Sequence, residues 1–167
     1  MKTEKHFDDN LKFENARLLF KNFKGEEDKY NAAGNRNFCV VIDDEKQAAY
    51  LEEHGWNVRS LPARDDDDAV LYYINVKVSF DVRPPRVYLV DEDSKRTTTL
   101  TEDTIGELDY AQFKNVDMVI SPYNWSVGNK SGVKGYLKTM YVVLEKDEFA
   151  DKYNFDEKQY SEEDLPF

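Results

Sequence analysis

From Ile74 to Phe80 the chain alternates without exception: Ile74, Val76, Val78 and Phe80 are apolar, while Asn75, Lys77 and Ser79 between them are polar. A period of two puts successive side chains on opposite faces of an extended strand, and no helix gathers such a pattern into one apolar stripe. Related runs recur along the chain. NFCVVID at Asn37–Asp43 is one, RVYLVD at Arg86–Asp91 follows the breaker Pro84-Pro85, and VDMVIS at Val116–Ser121 precedes a longer run from Val133 to Leu144. Asn15–Phe23 (NARLLFKNF) fits a first strand, although its spacing also permits a helix. Helical signals are fewer. Asp44–His54 begins with acids, is rich in helix formers and stops at Gly55, where a glycine cap belongs. Thr101–Phe113 places Ile105, Leu108 and Phe113 at roughly helical spacing. Five or six strands with one or two short helices predict a mainly β fold, an OB-fold-like barrel. Its expected core is Phe38, Val41, Ile42, Trp56, Ile74, Val76, Val78, Leu89, Ile120, Leu137 and Val143.

Composition removes several classes of function. Cys39 is the single cysteine, so no disulfide framework exists, and with only His6 and His54 beside it a Cys/His zinc site is not available. No apolar run approaches the ~20 residues of a membrane span. MKTEKHFDDN lacks the apolar centre of a signal peptide. A cytoplasmic protein without cofactor or metal is expected. Catalysis finds no support either: His6 lies in a leader and His54 at a helix end. GNKSG at Gly128–Gly132 lacks the Walker spacing and reads as a hairpin turn. The carboxylates cluster in runs, not in the apolar surroundings that would raise their pKa.

The net charge of −11 is unevenly distributed. Leu144–Phe167 carries nine acids against three lysines, and Asp65–Asp68 adds four more acids, which leaves about −1 for the rest. Ser121–Val143 holds three lysines and no acid. If Val133–Leu144 is a strand, Lys134, Tyr136 and Lys138 share one face, while Gly135, Leu137, Thr139, Tyr141 and Val143 share the other. Lysines spaced by an aromatic ring are what a single-stranded nucleic acid needs, since cations neutralise phosphates and a ring stacks on any base. Tyr123 and Trp125 precede the glycine-rich turn and Lys130 lies within it. Lys77, Arg83, Arg86 and Tyr88 repeat the mixture at the earlier hairpin, with Arg86 and Tyr88 on one face.

The chain closes on Glu162-Glu163-Asp164-Leu165-Pro166-Phe167. This tip resembles that of bacterial single-stranded DNA-binding proteins, in which a cluster of aspartates precedes Ile-Pro-Phe. The segments RNFCVVID, HGWNVR and ISPYNWSVGNKSGVKGYLKTMYV resemble phage-encoded members of that class more closely, as does the lack of a long Gly/Gln/Pro-rich linker before the tip. The resemblance implies an OB-fold body over residues 1–150 that coats single-stranded DNA without sequence preference during replication and recombination. It also implies a disordered acidic tail over 151–167, whose tip recruits replication or recombination proteins, and leaves homo-oligomers open. A different class, an acidic DNA mimic that inhibits a nuclease or restriction enzyme, would account for the net charge. It would have no use for the acid-free Lys/Tyr stretch.

Overall fold

The computed structural model describes residues 6–62, 70–81 and 83–145, and the acidic tail and the Asp65–Asp68 block lie outside the described residues. Nine strands form one mixed sheet: β1 (Leu11–Phe13), β2 (Leu18–Asn22), β3 (Arg36–Ile42), β4 (Arg59–Leu61), β5 (Leu71–Val78), β6 (Arg86–Val90), β7 (Thr97–Leu100), β8 (Phe113–Val127) and β9 (Lys130–Leu144). One helix, α1 (Glu45–Glu53), follows β3. The main path runs β1-β8-β9-β5-β3-β2, with β4 beside β5 and the β6–β7 pair beside β9. The fold is mainly β and OB-like, as expected, but with more strands than expected. Among the described residues strand pairing does not close it into a barrel, because there β1 pairs only with β8 and β2 only with β3. No helix among the described residues is long and apolar enough to cross a membrane.

Two long strands dominate the structure. β8 and β9 are 15 residues each and are joined by the two-residue turn Gly128-Asn129. Gly128 has φ 58°, the left-handed value that the first position of a type II′ turn requires. The ladder runs without a gap from Ile120↔Leu137 to Val127↔Lys130, so the strand expected to end at Ser121 continues to Val127 and carries Tyr123 and Trp125. Pro122 does not break β8. At that point the strand has one neighbour only, since β1 pairs with Met118–Ile120, and a missing N–H is tolerated at a free edge. The other edge of β9 is shared in parallel, first by β5 (Val76↔Gly135, Lys77↔Tyr136) and then by β6 (Arg86↔Thr139 to Val90↔Val143).

Ladder partners on β8 and β9 slip between Val119↔Thr139 and Ile120↔Leu137, which leaves Lys138 as an extra residue on β9. One extra residue in a strand of period two exchanges the faces beyond it. Before the bulge Val133, Gly135 and Leu137 point inward; after it Met140 and Val142 fill the core, each fully buried. Tyr141 and Val143 therefore lie on the outer face with Tyr136, and their expected inward orientation is reversed.

The helix is built as its sequence predicts. Asp44 accepts a hydrogen bond from the Lys46 N–H as N-cap, a contact of about 1 kcal/mol. Gly55, at φ 104°, donates to the Glu52 carbonyl while Trp56 donates to Leu51, so the helix ends in a Schellman turn. That turn swings the Trp56 indole into the core, edge-on to Phe7 at 5.6 Å. Over Thr101–Phe113 the expected helix shrinks to a 3-10 turn, Ile105–Asp109. Ile105 and Leu108 are both buried, and a spacing of three suits the tighter turn. Asp109 caps the chain elsewhere, accepting from the Phe23 and Lys24 N–H groups at 2.7 and 3.0 Å. Of the expected core, Leu89 and Val143 are only half-buried.

Candidate nucleic-acid interface

The outer face of β6, β9 and β8 collects most of the residues singled out in the sequence. Tyr123 lies across the ladder from Lys134, and Ser121 across from Tyr136. The Tyr123 and Tyr136 rings meet edge to face, with centroids 5.8 Å apart. On the other side of β9, Tyr88 is the direct partner of Tyr141, and their rings stack at 5.2 Å with an interplanar angle of 27°. Arg86 sits beside Thr139, one step up the same face. Lys77 reaches the same surface from β5, as the register partner of Tyr136. Lys130 stands at the hairpin tip across from Val127. Lys138, displaced by the bulge, is exposed between the two tyrosine pairs. Arg83 is exposed in the loop before β6 and belongs to no strand.

Trp125 pairs with Gly132, and the absence of a side chain there is what admits its ring. A Cβ on Gly132 would come within 2.8 Å of the indole. The ring thus rests on backbone at the mouth of a cleft of about 420 Å³, with Trp56, Asn57, Ser131 and Lys134 around it. Trp56 itself is core, as expected.

The cations on this face are unspent. Among the described residues none of Lys77, Arg86, Lys130, Lys134 and Lys138 takes part in an ion pair. β8 and β9 carry one acid between them, Asp117 beside Tyr141, and its carboxylate accepts a hydrogen bond from the Asn15 N–H at 2.9 Å. A surface of this kind can neutralise a polyanion at several points and offer it ring faces in between. The Cys39 thiol is buried and pushed up in pKa by desolvation, which outweighs the lowering effects of the Asn75 hydrogen bond and of Arg59.

Sequence reasoning missed one member, Tyr141, 44% exposed and stacked on Tyr88. The signal that could have found it is Met140-Tyr141-Val142-Val143, where either frame places an apolar pair inward. The six tip residues Glu162, Glu163, Asp164, Leu165, Pro166 and Phe167 lie outside the described residues.

The sequence matches the family model for the phage ssDNA-binding domain over residues 1–164. Among solved structures, the chain is similar to the single-stranded DNA-binding protein from bacteriophage Enc34 in complex with ssDNA, with a TM-score of 0.53 and 11% identity over 83% of this chain and 88% of that one. A second structure of the Enc34 protein gives a TM-score of 0.51 and 12% identity, over 93% of this chain and 88% of that one. At such identity the likeness concerns the fold. No curated protein matches the sequence.

Proposed function

The chain belongs to the phage ssDNA-binding domain family, and on that premise we propose that it coats single-stranded DNA along the outer face of β6, β9 and β8. The observation that carries the reading is the interleaving there of cations that make no ion pair among the described residues with two tyrosine pairs, Tyr123–Tyr136 and Tyr88–Tyr141. Lys77, Arg86, Lys134 and Lys138 take the phosphates, and the rings take the bases. Arg83 and Lys130, both exposed, add charge at the two ends. A ring stacks on any base, so binding is sequence-tolerant. Such a protein keeps strands exposed in replication and recombination from reannealing, and catalyses no reaction.

Fluorescence tests the placement. Single-stranded DNA is expected to quench intrinsic tryptophan emission, because Trp125 is half-buried at the cleft mouth while Trp56 is shielded in the core. Trp125→Phe should lose most of the signal, and a signal that survives in that variant would place the DNA elsewhere. In the same titrations Lys134→Ala and Lys138→Ala should each lower the salt slope by about one phosphate.

The tip extends the proposal. Glu162, Glu163 and Asp164 repel DNA, so the tip serves a protein partner that takes the Phe167 ring in an apolar pocket while the acids steer the encounter. Phe167→Ala should abolish capture of replication or recombination proteins and leave DNA affinity unchanged. Retention of those partners would remove the recruiting role.

A further inference from the structure

β2 contains a backbone outlier with an exposed aromatic ring. The ladder with β3 shifts between Leu19 and Asn22, and Phe20 within that bulge has φ 53°, a left-handed conformation that crowds any residue with a Cβ. Its ring is 60% exposed and meets Tyr73 edge to face at 5.8 Å. Strain at a non-glycine residue persists only where the surroundings enforce it, and it concentrates at functional positions. Here it holds a large apolar ring against water.

The position of this ring gives it a use. β3 is buried on both sides: Phe38, Val40 and Ile42 enter the main core, whereas Cys39 (6% exposed) and Val41 (3%) do not. Cys39 and Val41 instead pave the outer face, opposite Asn75 and Tyr73. Tyr73, Asn75 and Lys77 alternate on that face of β5, and Lys77 is already the neighbour of Tyr136. Four residues of strand separate Lys77 from Tyr73, about 13 Å at ~3.3 Å per residue, which is a reach of roughly two nucleotides of an extended strand. Arg59, the register partner of Tyr73, supplies a cation at the far end. The exposed Asn75 and Lys77 thus lie between the tyrosine pairs and a second aromatic station.

We infer that Phe20 and Tyr73 stack on bases of the same single strand that crosses Tyr136, so that the binding site spans β2, β3 and β5 as well as the long hairpin. This rests on the proposed DNA-binding role, and the continuity of this face with Tyr136 through Lys77 favours the strand already placed there over a second copy of the chain. The test measures binding of labelled oligothymidylates of increasing length by anisotropy, with wild type, Phe20→Ala and Phe20→Gly. Short oligonucleotides, satisfied by the hairpin face, should bind all three proteins alike. Long ones should bind both variants about 5- to 100-fold more weakly than wild type. Phe20→Gly relieves the left-handed strain, so its Tm should match or exceed that of wild type while its long-oligonucleotide affinity falls. Equal affinity of wild type and variants at every length overturns the inference. So does a loss that is the same for short and long strands, or a change in sedimentation without a change in DNA binding, which would assign the patch to self-association. A wild-type protein that ignores oligonucleotides of every length would overturn the DNA-binding role itself.

Discussion

Tyr136→Ala is expected to weaken single-stranded DNA binding by about 1–3 kcal/mol, or roughly 5- to 150-fold, with little change in Tm. Tyr136 is half-buried on the outer face, and its strand is anchored by the next side chain, Leu137, which is buried on the opposite face. Removing the ring therefore takes away a stacking surface and leaves the core filled. Tyr141→Ala should act similarly, because it undoes the stacked pair with Tyr88. Tyr110→Ala is the control. Tyr110 is 77% exposed just past the 3-10 turn and belongs to no strand, and its loss should leave affinity unchanged. Isothermal titration with a defined oligonucleotide, paired with thermal melts, separates the two outcomes. A Tyr136→Ala protein that melts early and binds normally once folded would make the ring structural.

Gly135→Ala is expected to cost about 1–3 kcal/mol of stability through overpacking, a fall in Tm of about 2–4 °C per kcal/mol. A Cβ at this position would come within 2.9 Å of the Trp56 ring and 3.0 Å of the Ile120 side chain. Neither can retreat easily. Trp56 is locked by Phe7 and by the helix-ending turn, and Ile120 is fully buried beside the bulge. The position is also where β5 and β9 meet, through Val76↔Gly135 and Lys77↔Tyr136 alone, so a displaced backbone would loosen the joint between the two halves of the sheet. Chemical denaturation measures the loss directly. Unchanged stability would mean that the Trp56 pocket has slack the contacts do not show.

Much of this architecture was readable because it follows short-range rules. The alternation at Ile74–Phe80, the acid-and-glycine limits of α1 and the glycine turn at Gly128 each depend on a few adjacent residues; each was found, although β5 ends at Val78 and the turn is only Gly128-Asn129, with Lys130 already on β9. The face of Lys134 and Tyr136 was legible for the same reason. The bulge at Lys138 was not, because no glycine or proline marks it. LKTMYVVL supports either frame, and the choice is made by pairing with β8 across the hairpin and with the parallel strand β6, which is remote in sequence. The same applies to Phe20, whose left-handed backbone lies in the bulge where the β2–β3 ladder shifts. Thr101–Phe113 misled for a different reason. A spacing of three is shared by both helix types, and the Asp109 carboxylate is used to cap Phe23 and Lys24.

The most direct test of the account titrates the whole protein with a labelled single-stranded oligonucleotide and with the matching duplex, at salt concentrations from about 50 to about 200 mM. The account predicts clear preference for the single strand, since paired bases hide the faces that Tyr136, Tyr141 and Trp125 would stack on. It also predicts affinity that falls steadily as salt rises, as phosphates held by Lys77, Arg86, Lys134 and Lys138 exchange with counterions. Equal affinity for duplex, or binding that does not respond to salt, would contradict it.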